Sequence, residues 1–193
     1  MNERVSETCV VLRSVDHRKM RWLNGGGWTR EIVAWPSRDD WKWRVSVADI
    51  ESDGPFSALP GVDRSIAMLS GNGFALTTSL GTVAILRQCE LFEFSGDEST
   101  MCTLVDGAVQ DLNLMVRRSF APMQLAFVDV IGSTELVGIE LGIVVSGTVH
   151  FGEHVLSRLD AIRLNTASTV VVSSVGEQPA TVACVSTFPS VGT

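Results

Sequence analysis

Alternation of apolar and polar residues is the sequence feature that most constrains this fold. In the segment WKWRVSVADI, residues 41–50, apolar side chains occupy every second position from Trp41 to Val47. The segment DLNLMVRR, residues 111–118, alternates in the same way through Leu112, Leu114 and Val116. A period of two places alternate side chains on opposite faces of a β-strand. Both segments are therefore predicted to be strands with one apolar and one polar face.

Turn signals follow one another at short intervals along the chain. They include Asn24-Gly25, Asp53-Gly54-Pro55, Gly71-Asn72-Gly73 and Asp106-Gly107. Short strands separated by such turns are typical of β-sandwiches and β-barrels. No segment carries a long apolar stripe at helical spacing, so little helix is expected. The sequence therefore predicts an all-β fold.

Two segments resemble each other in plan. IAMLSGNGFAL, residues 66–76, and IVVSGTVHF, residues 143–151, both place apolar residues before Ser-Gly and then resume a strand. Such a repeat favours two tandem β-units, although the same pattern also occurs in ordinary hairpins. No Pro-, Ser- or charge-rich linker separates the two halves.

Three consecutive glycines, residues 25–27, raise the question of a phosphate-binding loop. A P-loop requires GxxxxGK[ST], and a dinucleotide-binding loop requires GxGxxG between a strand and a helix. The segment NGGGWTREIVAWP satisfies neither pattern and continues into β-prone residues that end at Pro36. We therefore predict a turn between strands. The glycines beyond those a turn needs indicate close approach of the backbone to a ligand or a neighbouring strand.

Composition narrows the range of partners and compartments. The 193 residues carry 15 basic and 22 acidic side chains, a net charge of −7, which argues against a nucleic-acid partner. The four cysteines form no CxxC pair and are expected to be reduced thiols. The start, MNERVSETCV, has no signal-peptide pattern, and no apolar run approaches the roughly 18 residues of a membrane span. A cytoplasmic location without membrane attachment is therefore expected.

Three blocks of the sequence together resemble a known family. They are WLNGGGWTREI at 22–32, WRVSVADIESDGPFSALPGVDRSIAMLSGNG at 43–73 and DLNLMVRR at 111–118. These blocks are similar to the signature segments of the HutD/Ves family of small bacterial proteins, and they cover residues 22–118. Leu112 stands where the family commonly has Phe. The second half is similar only through SGTVHF, residues 146–151, and LSRLDAIRL, residues 156–164.

The resemblance implies a fold and a role. It implies a single metal-free bicupin domain over residues 1–193, with cupin halves at about 1–118 and 119–193 and no cofactor. It also implies a small-molecule pocket. The family role would be a ligand-responsive brake or sensor in histidine breakdown, or a stress-related role in the Ves branch. No enzymatic activity is firmly tied to the family.

Histidines are too few and too far apart to predict a metal site. The sequence has only His17, His150 and His154. Within one strand, His150 and His154 would share a face about 13 Å apart, too far for a single ion. Gly152 and the preceding β-prone residues favour a hairpin over a helix that would bring the two rings together. No metal is therefore expected.

The polar faces of the two alternating strands are the best candidates for a binding site. One face carries Arg44 and Ser46, and the other strand carries Asp111 and Asn113. An ordinary solvent-exposed face is the alternative, since antiparallel sheets commonly have one. Ala48 shares its face with these polar residues and suits an interior better than a wet surface. We therefore interpret the two faces as the lining of a pocket.

Arginines in this region indicate an anionic ligand. Arg30, Arg44, Arg64 and Arg117 are expected to converge, because the planar guanidinium binds carboxylates through paired hydrogen bonds. Glu31, Asp63 and Asp111 are expected to hold these arginines in place. A buried ion-pair network without a ligand is the alternative. The predicted ligand-binding residues are Asn24, Thr29, Arg30, Glu31, Arg44, Ser46, Arg64, Asp111, Asn113 and Arg117.

The aromatic residues and the Pro-rich segment are assigned to packing and to the pocket rim. DGPFSALPGVDR, residues 53–64, is expected to be a loop at the rim, with Phe56 anchored in the core. The five tryptophans are expected to be core residues rather than a ligand platform.

The sequence therefore favours a protein that senses or buffers a small carboxylate intermediate of histidine degradation, such as formylglutamate or urocanate. An isomerase or hydrolase using Glu31 or Asp111 as a base is one alternative. A stress-related interaction protein is the other, and a homodimer is left open.

Overall fold

The computed structural model describes residues 9–22, 25–176 and 178–187, and these residues are almost entirely β-structure. The one helical element among them is a 3₁₀ turn at Ser14–Asp16. The predicted all-β fold is therefore confirmed, and the described part contains no helix with the length and apolarity that a bilayer crossing requires. The strands are β1 Cys9–Leu12, β2 Arg18–Arg21, β3 Gly27–Trp35, β4 Trp43–Ile50, β5 Gly54–Pro55, β6 Val62–Ser70, β7 Phe74–Thr78, β8 Gly81–Ile85, β9 Leu91–Ser95, β10 Met101–Leu104, β11 Val109–Arg117, β12 Met123–Val130, β13 Ser133–Ser146, β14 Thr148–Phe151, β15 His154–Ser157, β16 Ala161–Ser174 and β17 Ala180–Thr187.

The chain divides into two compact units. One, the N-terminal unit, spans Arg18–Phe120, and the other, the C-terminal unit, combines the segment before Arg18 with the segment from Ala121. The expected division near residue 118 lies next to Phe120. The expected N-terminal half differs at its start, because β1 pairs antiparallel with β16 and so joins the C-terminal unit.

Two antiparallel sheets build the N-terminal unit. The six-stranded sheet has the order β2-β3-β4-β11-β6-β9, and the four-stranded sheet has the order β5-β10-β7-β8. Side chains from both sheets form one buried cluster that includes Ile50, Ile66, Phe74 and Leu76. Because the cluster draws on both sheets, the sheets pack face to face as in a β-sandwich or barrel.

Strand β4 is buried on both faces. Trp43, Val45 and Val47 are at most 1% exposed, as the alternation predicts for its apolar face. Ser46 and Ala48, on the opposite face, are 2% and 7% exposed. The polar face of this strand therefore lines an interior rather than a solvent-exposed surface.

The glycine segment forms the turn of the β2–β3 hairpin. The Gly25 amide donates to the Trp22 carbonyl, the Trp22 amide donates to the Gly27 carbonyl, and Gly25 has φ of 75°. Gly27 is required for a different reason, since a Cβ there would lie 2.3 Å from the Asp49 carbonyl oxygen of β4. The glycines therefore allow a tight turn and a close approach to a neighbouring strand. Asn24 lies outside the described residues.

One seven-stranded antiparallel sheet forms most of the C-terminal unit. The strand order is β12-β17-β13-β16-β14-β15, with β1 also paired to β16. Its core cluster is apolar and includes Leu136, Val144, Phe151 and Val172. The β14–β15 pair is the hairpin expected around Gly152. His150 and His154 occupy consecutive register positions of that hairpin and point to opposite faces.

The two similar sequence segments occupy corresponding places in the two units. Ser70 ends β6 before Gly71, and Ser146 ends β13 before Gly147. Both glycines have positive φ, at 111° and 75°. Neither segment is a hairpin, because β7 pairs with β8 and β10, and β14 pairs with β15 and β16. The repeat therefore marks a change of strand partner in each unit.

Candidate functional site

A cavity of about 560 Å³ lies in the N-terminal unit, against the polar face of the six-stranded sheet. Its floor comes from β3, β4, β6 and β11, and its rim comes from residues 21–22 and 55–59. The polar floor residues are Thr29, Arg44, Ser46, Arg64, Asp111 and Asn113. These six residues all belong to the predicted ligand-binding set.

Arg64 presents a buried guanidinium to the cavity. The residue is 7% exposed, and its Nε lies 3.5 Å from Oδ1 of Asn113. Its guanidinium carbon lies 5.1 Å from the ring centre of Phe56 and 4.8 Å from that of Phe94. Burial lowers the pKa of Arg64 to about 10, against the opposing effect of Asp111. Arg64 therefore remains charged at neutral pH, and none of these contacts is an ion pair.

Arg44 is the second cationic group of the cavity. Its Nη2 donates to the sulfur of Met115 at 3.6 Å, which is a weak acceptor. Its Nε is buried and has no hydrogen-bond partner in the part of the chain that the structure describes. Burial lowers the pKa of Arg44, and the charge of Glu31 opposes that shift. A buried donor without a partner is costly, so Arg44 is suited to bind an anion from the cavity.

Asp111 is the acidic residue of the cavity floor. It is 1% exposed, and its Oδ1 has no hydrogen-bond partner among the described residues. Burial raises the pKa of Asp111 to about 7, although Arg64 and the Ala48 amide favour the charged form. The carboxyl group is therefore close to half-protonated at neutral pH.

The remaining floor and rim residues shape the cavity. Thr29 accepts a hydrogen bond from the indole of Trp22 at 2.8 Å. The rings of Trp22 and Phe56 meet edge to face, with their centres 6.1 Å apart. Because Trp22 is held by Thr29 and packed on Phe56, the rim of the cavity is fixed on two sides.

Three predicted residues do not line the cavity. Arg30 projects from the other face of β3 and pairs with Asp49. The carboxylate of Glu31 accepts from Nε of Arg38 at 2.5 Å. Arg117 donates to the Trp41 carbonyl at 2.8 Å and stacks over the Trp41 ring. The expected convergence of four arginines is thus reduced to Arg44 and Arg64.

Two of the acidic residues that were expected to hold these arginines in place also have other partners in the structure. Asp63 forms an exposed ion pair with Arg118 rather than with a cavity arginine. Arg21, which was not predicted, reaches the rim and is paired with Glu51 at 2.7 Å. Trp22 and Phe56 were expected in the core; they are partly buried against the core cluster and also line the cavity. Two sequence features indicated this position: Trp22 lies beside the glycine turn, and Phe56 lies in the predicted rim loop.

Metal-ligating side chains do not cluster in residues 9–22, 25–176 and 178–187. No group of three or more His, Cys, Asp or Glu side chains there is arranged to hold a metal ion. The cavity floor instead offers guanidinium, amide, hydroxyl and carboxyl groups, which are suited to hydrogen-bonding an organic anion.

Similar proteins occur in several bacteria. A 21.2 kDa protein from the hutC 3' region of Pseudomonas putida is 39% identical over 107 residues, which cover 54% of this chain and 56% of that protein. The chain thus spans about half the length of that relative. The protein Ves of Citrobacter koseri is 36% identical over 149 residues, covering 74% of this chain and 77% of Ves.

Solved structures agree with the fold. PA5104 of Pseudomonas aeruginosa PAO1 has a TM-score of 0.83 at 29% identity, covering 92% of this chain and 97% of that one. HutD of Pseudomonas fluorescens SBW25 has a TM-score of 0.78 at 26% identity, covering 94% and 100%. The oxalate decarboxylase of Lactobacillus farciminis, at 11% identity and a TM-score of 0.70, covers 97% and 88% and shares the cupin fold alone.

The family assignment follows from the extent of these matches. Residues 14–183 match the HutD family model, so the match includes most of both units. The three signature blocks fall within this range, and all three supply cavity residues, from β3, β4, β6 and β11 among others. This chain belongs to the HutD/Ves family.

Proposed function

We propose that the cavity of the N-terminal unit binds a small carboxylate and that the protein senses or buffers such an intermediate of histidine degradation. The observation that carries this proposal is a pair of arginines, the partly buried Arg44 and the buried Arg64, that face the cavity without an ion-pair partner in the described residues. Bidentate contact between guanidinium and carboxylate would satisfy both.

The balance of charge in the cavity favours a ligand with two carboxylates. Arg44 and Arg64 contribute two positive charges, while the charge of rim residue Arg21 is compensated by Glu51. Asp111 offsets one of these charges only when it is ionised. A volume of about 560 Å³ lies within the usual range for small-molecule sites, roughly 300–1,000 Å³.

The link to histidine degradation rests on the names of related proteins. One relative lies in the hutC 3' region of Pseudomonas putida, and one structural neighbour is named HutD. Formylglutamate and formiminoglutamate carry two carboxylates each, whereas urocanate carries one. A cytoplasmic location and a homodimer remain predictions.

A thermal-shift screen tests carboxylate binding directly. The compounds are histidine, urocanate, formiminoglutamate, formylglutamate and glutamate, each with and without EDTA. A ligand at 100 times its Kd stabilises the folded state by about 2.7 kcal/mol, which raises the Tm of a chain of this length by about 5–10 °C. One carboxylate is expected to give such a shift regardless of EDTA.

Matched variants separate cavity binding from a general charge effect. Arg44→Met removes a cavity guanidinium and is expected to abolish the shift. Arg30→Met removes a guanidinium that is paired with Asp49 on the opposite face of the sheet, and it is expected to retain the shift. A shift that survives Arg44→Met, or the absence of any shift with all five compounds, contradicts the proposal.

Catalysis is a second candidate function because Asp111 has the pKa of a general base. A carboxylate with a pKa of about 7 beside a bound substrate can exchange protons at neutral pH. Glu31 is less suited, since it is held by Arg38 and does not line the cavity. Incubation of each carboxylate with the protein in deuterated water tests this activity by NMR. Deuterium incorporation that is lost in Asp111→Asn would support an isomerase.

A further inference from the structure

Asp111 is an acidic side chain in a cavity that is proposed to bind an anion, and carboxylate binding alone does not explain its presence there. We propose that Asp111 enters the complex as a neutral carboxylic acid, donates its proton to an oxygen of the bound carboxylate and thereby links binding to proton uptake. The same contact excludes ligands that place an ammonium group at this position. This inference rests on the proposed binding function and assigns Asp111 the role of a specificity-determining residue.

The geometry of Asp111 supports a donor role. Asp111 is the acidic side chain among the cavity-lining residues, and it is 1% exposed. Its Oδ1 is buried and has no partner within the described part of the chain. A buried ionised carboxylate normally accepts several hydrogen bonds. An unsatisfied oxygen at the cavity floor is instead suited to carry a proton toward a ligand.

None of the described groups around Asp111 forms an ion pair with it. Arg64 on β6 favours its charged form but makes its own contacts with Asn113 and two phenylalanine rings. On β4, Arg44 faces the same cavity, and the charge of Asp49 favours the neutral form. On β10, Cys102 has its pKa raised to about 12 by burial and by Asp111, so it remains a neutral thiol.

The protonation state of Asp111 decides how the cavity treats an anion. An ionised Asp111 would stand next to the bound carboxylate in a site of low dielectric constant, where like charges repel strongly. A neutral Asp111 donates an O–H···O⁻ hydrogen bond, which is among the stronger hydrogen bonds in proteins. The bound anion therefore favours the protonated form, and binding takes up a proton wherever Asp111 is ionised beforehand.

Other cavity groups cannot produce the same pH dependence. No histidine occurs between residues 18 and 120. The pKa of Arg64 is about 10 and that of Cys102 is about 12, whereas that of Asp111 is about 7. Of these three groups, Asp111 is thus the one that titrates between pH 6 and 9.

Isothermal titration with glutarate, a dicarboxylate without an amine, tests the inference from pH 6 to 9. Both glutarate carboxylates remain ionised over this range. The Kd is expected to be constant near pH 6 and to rise about tenfold per pH unit above about pH 7.5. At pH 8, the binding enthalpies measured in phosphate and in Tris are expected to differ. The difference corresponds to the ionisation enthalpies of the two buffers multiplied by the number of protons taken up, which is up to one.

Glutamate is the matched probe for the exclusion of ammonium. It has the carbon chain of glutarate with one added ammonium group. With Asp111 neutral at pH 6, glutamate is expected to bind at least tenfold more weakly than glutarate. Equal binding of the two compounds at pH 6 would contradict the selectivity part of the inference.

Asp111→Asn and Asp63→Asn form the matched pair of variants. Asparagine at 111 imitates the neutral acid, so binding is expected to lose its pH dependence and to be roughly 10- to 30-fold tighter than wild type at pH 8.5. Asp63→Asn removes an equal charge from an exposed ion pair with Arg118, and wild-type pH dependence is expected. A carbon-13 NMR titration of the Asp111 carboxyl in wild type, with and without glutarate, is expected to show a higher midpoint in the complex.

The outcomes separate the inference from the proposed function. Glutarate binding that is flat from pH 6 to 9, or weaker in Asp111→Asn at every pH, overturns the donor role while carboxylate binding stands. An unchanged NMR midpoint on saturation with glutarate overturns the donor role as well. Failure of glutarate and of every carboxylate in the thermal-shift screen to bind at any pH overturns both.

Discussion

Asp111 in the N-terminal unit and Asp160 in the C-terminal unit are both buried, at 1% and 7% exposure, yet their surroundings differ. Asp160 accepts hydrogen bonds from the Ser14 and Ser157 amides and from the Arg13 guanidinium. Burial would raise the pKa of Asp160, but these donors outweigh it and the pKa is lowered. Asp111 keeps one oxygen without a partner in residues 9–22, 25–176 and 178–187, and burial raises its pKa to about 7.

The interiors of the two units differ in the same way. The C-terminal core cluster consists of apolar residues such as Leu136, Phe151 and Ile162. The N-terminal unit has an apolar cluster as well, but part of its sheet presents arginine, aspartate and asparagine to a cavity. Buried polar groups are normally satisfied by the fold itself. Two unpartnered polar atoms at the cavity, Nε of Arg44 and Oδ1 of Asp111, therefore distinguish this binding interior from the apolar C-terminal cluster among the residues that the structure describes.

Asp160→Ala is expected to have the largest effect on stability. It removes a buried carboxylate that accepts from two backbone amides and from Arg13, so the free energy of unfolding should fall by about 3 kcal/mol at pH 7. Because the pKa of Asp160 is lowered in the folded state, its contribution is present above about pH 4 and is lost on further acidification. Urea denaturation at pH 7 and pH 3 measures both effects.

A matched control for that variant lies in the same unit. Asp129→Ala removes an exposed carboxylate that accepts from the Thr181 hydroxyl at 2.9 Å, and a loss below about 1 kcal/mol is expected. Equal losses for the two variants would mean that the hydrogen bonds of Asp160 contribute little, and the contrast between the two buried aspartates would fail.

Asp111→Asn is expected to stabilise the protein without ligand. The pKa of Asp111 is raised in the folded state, so the wild-type protein loses stability as pH increases from about 4 to about 7. Asparagine removes that penalty and should raise the free energy of unfolding by about 2 kcal/mol at pH 8, with no gain near pH 4. Urea denaturation across this pH range is the measurement. A destabilised variant at pH 8 would show that the Asp111 carboxylate is satisfied after all.

Removal of an arginine from each unit is expected to give the smallest effects. Arg13→Met deprives Asp160 of one donor and should destabilise the C-terminal unit by about 1 kcal/mol. Arg64→Met breaks no ion pair within the described residues and should change stability by less than about 1 kcal/mol. Thermal unfolding without ligand compares the two, and a larger loss for Arg64→Met would indicate a structural rather than a binding role.

The interior position of the polar strand faces could be predicted from sequence. Ala48 alternates with Ser46 and Arg44, and an alanine at that position suits an interior. The opposite orientations of Thr29 and Arg30 follow from alternation along β3, because Thr29 pairs with Ala48 and Arg30 pairs with Val47 on the apolar face of β4. Arg30 therefore meets Asp49 on the far face, although its neighbour Thr29 lines the cavity.

Contacts between distant residues limited the remaining predictions. The pairing of β1 with β16 joins Cys9 to Leu164, and no local pattern announces such a partner. Trp22 and Phe56 are large aromatic residues of the type that usually fills a core. Only the tertiary structure shows that they pack on each other at the cavity rim. Arg117 belongs to the same strand as Asp111, but a hydrogen bond to the Trp41 carbonyl directs it elsewhere.

The sequence by itself determined the all-β class, the family, the turn at the three glycines and the polar faces that line the cavity. Each of these depends on local periodicity, on local backbone geometry or on motifs that are contiguous in the chain. Tertiary structure alone decided that, within the described segments, Arg44 and Arg64 lack ion-pair partners while Arg30 and Arg13 have them. The physical reason is that hydrogen bonding and desolvation depend on which groups meet in space, and strand pairing brings together residues far apart in sequence.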